Sequence, residues 1–71
     1  MYAVYAGLYD NEKQSKKDAK KIMKMGLDTY LFIVEGKTAM LTASFSNEYP
    51  ANMLKEKLEK SGISSFVKSS S

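Results

Sequence analysis

Shifted by thirty-six residues, the chain lies over itself without a gap. Asn11-Glu12 falls on Asn47-Glu48, Lys21 on Lys57, Lys24 on Lys60 and Gly26 on Gly62. Among these identities Tyr9 falls on Phe45, Ile22 on Leu58, Leu27 on Ile63, Tyr30 on Phe66 and Leu31 on Val67. The matches collect where elements begin and end, where backbone chemistry is most constrained. A chain of 71 residues has room for one domain at most. A repeat of this length inside it is one supersecondary unit used twice, not a solenoid.

Each unit reads strand, helix, strand. Tyr2 to Tyr9 is aromatic and small-apolar, which predicts a strand. Asp10 or Asn11 can cap the helix that follows, with Glu12 near its positive end. Ser15, Ala19, Ile22 and Met23 form one helical face, and Gly26 supplies the left-handed stop. Leu27 to Val34 is the second strand, and Glu35-Gly36 a tight hairpin turn. Lys37 to Phe45 returns antiparallel. Ser46 or Asn47 caps a second helix with Pro50 in its first turn, where a missing N–H is tolerated. Ala51, Met53, Leu54 and Leu58 are its buried face. Gly62 ends it, Ile63 to Val67 is the last strand, and residues 69–71 are a disordered polar tail. The order β-α-β-β-α-β predicts an α+β, ferredoxin-like fold, a four-stranded antiparallel sheet with two helices on one face.

The other face of such a sheet has no helix over it. Strand residues alternate between faces. Val4, Ala6, Leu8, Met40, Thr42, Ile63 and Val67 suit the covered side. Ala3, Tyr5, Gly7 and Tyr9 then face outward, as do Tyr30, Phe32, Ala39, Leu41, Ala43 and Phe66. Tyr5, Tyr9, Tyr30, Phe32, Leu41 and Phe66 are the candidate contact residues of an aromatic surface, and a contiguous exposed patch of that kind marks an interface. Three occupants fit it: a second copy of the chain, a sugar polymer, or stacked RNA bases. RNA fits worst, because the chain has no Arg and the open face has no evident Lys.

The net charge is +3. The segment from Asp10 to Gly26 holds six lysines against three acids, so the whole excess sits on the first helix. Lys13, Lys17, Lys20 and Lys24 are the candidate electrostatic contacts, and Lys16 and Lys21 flank them. They form either a solvated helix face or a hold on an anionic polymer, such as teichoic acid or nucleic acid.

The chain has no cysteine and no histidine. It therefore offers no thiolate, no imidazole base and neither of the commonest zinc ligands. Ser65-Phe66-Val67-Lys68 fits a Ser-x-x-Lys spacing but lies on a terminal strand instead of opening a helix. No glycine loop suits a phosphate. The residues predict no catalysis and no cofactor. No apolar run reaches membrane-spanning length, and no signal peptide is read in the chain.

Tyr2-Ala3-Val4-Tyr5-Ala6-Gly7-Leu8-Tyr9, Thr42-Ala43-Ser44-Phe45-Ser46-Asn47-Glu48 and Gly62-Ile63-Ser64-Ser65-Phe66-Val67 together resemble the SPOR (sporulation-related repeat) domains. The resemblance covers residues 2–68, with half-repeats of about 2–34 and 37–68. It implies a non-catalytic module that binds peptidoglycan and targets a lytic or wall-remodelling enzyme. It places Tyr5, Leu8 and Leu41 at glycan-facing positions where the family carries polar or basic residues. Those departures point to another wall polymer or to a self-associating face. Lys-only basic content suggests a low-GC Gram-positive host, clostridial, or its bacteriophage. There the chain looks similar to the C-terminal wall-targeting domain of an endolysin, acting at the cell wall beside a catalytic domain. The implied partners are peptidoglycan or an associated polymer and a second copy in a homodimer.

Overall fold

The computed structural model describes residues 1–70. Six elements follow in order: β1 (Tyr2–Tyr9), α1 (Glu12–Lys24), β2 (Tyr30–Val34), β3 (Lys37–Phe45), α2 (Glu48–Lys60) and β4 (Ser65–Ser69). All strand pairs are antiparallel, and the sheet order is β2-β3-β1-β4. This is the α+β, ferredoxin-like β-α-β-β-α-β arrangement.

The repeat is visible in the backbone. Both helices have 13 residues, and their ends are offset by the same thirty-six positions. Both close in the same way. Leu27 N–H donates to Ile22 O and Ile63 N–H to Leu58 O, around Gly26 and Gly62 with φ of 80° and 82°. The N-termini differ for one reason. Asn11 Oδ1 accepts from Gln14 N–H at 3.0 Å, whereas Asn47 makes no side-chain cap bond. The residue equivalent to Gln14 is Pro50, which has no N–H to give.

The core lies between the helices and one face of the sheet. Val4, Ala6, Ile22, Met40, Ala51, Leu58 and Ile63 are fully buried there. Ser15 and its repeat mate Ala51 are both small and buried, and Ser15 Oγ donates to Glu12 O within its own helix. Met23 and Met53, expected in the core, are about half exposed. Met23 stands a quarter-turn round from Ile22, and Met53 points away from the Ala51–Leu58 line.

Three strand boundaries differ from expectation. Residues 27–29 are not strand: Leu27 N–H is taken by the helix cap, although Asp28 N–H still donates to Thr42 O on β3. Ile63 likewise serves the second cap, so β4 starts at Ser65. The polar tail does not fray at Ser69. That residue belongs to β4, and the Met1 ammonium donates to Ser70 O while Ser70 N–H donates to Met1 O. Ser71 lies outside the described residues. The Glu35-Gly36 turn has positive φ at both residues, 51° and 79°, the twist that matches two adjoining strands.

Candidate functional site

No helix covers the second face of the sheet, and cross-strand pairing decides what lines it. Tyr30 pairs with Leu41, Leu41 with Tyr5, and Tyr5 with Phe66. Directly paired residues point to one face. A single row therefore crosses all four strands in the order Tyr30, Leu41, Tyr5, Phe66. The Tyr5 and Phe66 rings stack, with centroids 5.2 Å apart and planes 13° apart. Phe32 meets Tyr5 edge to face at 6.1 Å and 86°. Both distances lie in the attractive range for aromatic pairs.

Beside this row lies Phe32-Ala39-Gly7. Ala39 is fully buried although no helix lies over that face, so its larger neighbours close over it. Gly7 has φ of 141°, and a Cβ there would come within 3.1 Å of Thr38 O and 3.3 Å of the Ala39 Cα. Only glycine lets β1 approach β3 this closely. On the other side of the aromatic row lies Ser44-Ala3-Lys68. The open face thus carries a lysine after all. Its position follows from the two-residue step from Phe66, given the strand that runs to Ser69.

Tyr5, Tyr30, Phe32, Leu41 and Phe66 are brought together as expected. Tyr9 is not among them. Gly7 pairs with Ala39 but Tyr9 with Thr38, so Leu8 is an extra residue and the alternation reverses there. Leu8 is consequently exposed, while Tyr9 turns to the helix side and packs against the core. Its hydroxyl donates to Asp18 Oδ2 at 2.6 Å. Burial, and then the bond to and charge of Asp18, push the Tyr9 phenol above its ordinary range.

Lys13, Lys16, Lys17, Lys20, Lys21 and Lys24 are all exposed on the side of α1 turned from the sheet. The ion pairs among the described residues are Lys37–Asp10 at 2.8 Å and Lys55–Glu59 at 3.0 Å. The α1 lysines therefore have no acid within pairing distance. Lys37 holds the Asp10 carboxyl below its usual range through their hydrogen bond and charge. The α1 lysines and the aromatic row lie on opposite sides of a body whose shortest extent is 16 Å. One ligand segment cannot lie flat on both.

The arrangement offers apolar ring surface, two tyrosine hydroxyls and one ammonium group at the edge of the patch. No helix is long and apolar enough to cross a membrane among the described residues. The chain matches no protein-family model, no curated protein and no solved structure.

Proposed function

We propose that this chain is a non-catalytic cell-wall-binding module whose open sheet face takes peptidoglycan or an associated wall polymer, delivering a lytic or wall-remodelling enzyme such as a phage endolysin to a Gram-positive wall. The single observation that carries the reading is the row Tyr30-Leu41-Tyr5-Phe66 on a face without a helix over it. Sugar rings have apolar faces and hydroxyl rims, and aromatic side chains with polar tips match both. Lys68 and Ser44 border the row and suit carboxylate, phosphate or hydroxyl groups of such a polymer. That mixed border favours a hydrated ligand over a dry sheet-to-sheet dimer through the same face.

Co-sedimentation with purified sacculi of low-GC Gram-positive cells tests the reading, with stem peptides and teichoic acids present or removed. The Tyr5→Ala/Phe32→Ala double variant is expected to lose binding while its circular dichroism is unchanged. Retained binding in that folded variant overturns the face assignment. Absence of binding by the unaltered chain to every preparation overturns the function.

A further inference from the structure

β2 is exposed on three sides. It is an edge strand, paired with β3 alone. Tyr30 and Phe32 stand on the open face, 61% and 45% exposed. Leu31 and Ile33 pair with Met40 and Thr38 and so point to the helix side. Yet α1 packs mainly over β3 and β1, and Leu31 and Ile33 remain 45% and 75% exposed. The five residues Tyr30–Val34 are all apolar or aromatic, with no charge among them.

An edge of this kind pairs with other strands unless charge, proline or a bulge prevents it. The opposite edge has such protection, with Ser65, Lys68 and Ser69 in a five-residue strand. β2 has none.

We infer that β2 pairs antiparallel with β2 of a second copy, joining two sheets into one of eight strands. The register that overlaps all five residues centres on Phe32. It sets Phe32 opposite itself, Leu31 opposite Ile33, and Tyr30 opposite Val34 of the other copy. Every position meets an apolar partner, and no like charges face each other. Such self-complementarity is what a twofold interface requires, and it selects a second copy over an unrelated strand.

The area agrees. With roughly 200 Å² for each large side chain, Tyr30, Leu31, Phe32 and Ile33 leave on the order of 450 Å² in water. A standard interface takes about 800 Å² from each partner. The main-chain edge and a depression of about 140 Å³ beside it, lined by Glu12, Leu31, Phe32, Ile33 and Thr38, extend the contact. The result is a reversible dimer, not an obligate one. Its twofold axis is normal to the sheet, so both open faces look the same way and a repetitive polymer meets two aromatic rows. The pairing stands whatever the open face binds.

Sedimentation equilibrium over two decades of concentration, up to the millimolar, tests it on three chains whose fold is checked by circular dichroism. The unaltered chain is expected to dimerise. Ile33→Lys, at an exposed position off the open face, weakens dimerisation about tenfold or more. Phe66→Lys, on the open face, leaves it unchanged. Because the chain has no cysteine, Phe32→Cys adds a register test: mild oxidation couples two chains covalently, whereas Phe66→Cys is not coupled across the dimer. A monomer at every concentration overturns the inference. So does an unaffected Ile33→Lys, or a loss in Phe66→Lys as large as in Ile33→Lys.

Discussion

Thr42 sits where β3 carries one residue more than β1. Val4 pairs with Ala43 and Tyr5 with Leu41, with Thr42 between. Its side chain is buried, and Oγ1 donates to Val4 O at 2.8 Å. Thr42→Val keeps the shape and deletes the donor. A buried acceptor that loses its partner costs about 1–3 kcal/mol, and a carbonyl with a second lone pair falls near the middle, about 2 kcal/mol. A domain of this length has a total stability of about 4–10 kcal/mol. At about 4–8 °C per kcal/mol, the melting temperature falls by roughly 8–16 °C. Thr42→Ser keeps the donor and loses one methyl group, about 1 kcal/mol. Thermal and urea unfolding followed by circular dichroism should rank the chains as unaltered, then Ser, then Val. A Val variant as stable as the unaltered chain refutes the role given to this bond. The site depends on the same residue, since the irregularity it spans sets Leu41 opposite Tyr5.

Tyr9 should ionise above the ordinary tyrosine range in an alkaline absorbance titration. Its folded value lies above the unfolded one, so its contribution is complete below about pH 10 and is lost as the pH rises further. Tyr9→Phe removes the late step and costs about 1 kcal/mol. Asp10 behaves oppositely: its folded value is depressed, so its small contribution is present above about pH 4 and is lost as the pH falls. NMR titration of its carboxyl should show a midpoint that moves back up in Lys37→Gln. Glu35→Asn should stabilise the hairpin by up to about 1 kcal/mol, because Asn tolerates the positive φ better than Glu; a less stable Asn variant contradicts the turn geometry.

The fold was legible because the thirty-six-residue offset constrains helix length, caps and strand order together. Gly26 and Gly62 mark both helix ends, and Asn11 and Asn47 both starts. The open face was legible wherever strands alternate without interruption, as at Tyr5, Tyr30, Phe32, Leu41 and Phe66. It failed at Ala43 and Tyr9, because extra residues at Thr42 and Leu8 reverse the alternation, setting Ala43 opposite the buried Val4 and Tyr9 opposite Thr38. Gly7 is the one local signal of the irregularity at Leu8. Lys68 was missed because β4 starts and ends two residues later than periodicity suggests. The exposure of Leu31 and Ile33 was not legible either. It depends on where α1 lies over the sheet, which no local pattern encodes.

The placement of the aromatic residues separates binding from folding. A small domain gains most by putting large rings in its core, yet the seven fully buried core residues include no aromatic. Tyr5, Tyr30, Phe32 and Phe66, half of the eight aromatic residues, stand instead on the uncovered face. If folding needed them there, truncating one would cost as much as truncating the core. Leu58 is fully buried, and Leu58→Ala should cost about 2–5 kcal/mol. Phe32 is already half in water, so Phe32→Ala forfeits its contact with Tyr5 and half of its area, about 2 kcal/mol. Denaturant unfolding of the two variants, beside their sacculus binding, reads both quantities. Phe32→Ala should lose binding at the smaller cost in stability, whereas Leu58→Ala should lose stability first. Equal destabilisation by the two would make the aromatic face a second core, needed for folding, and would remove the reason to assign it a ligand.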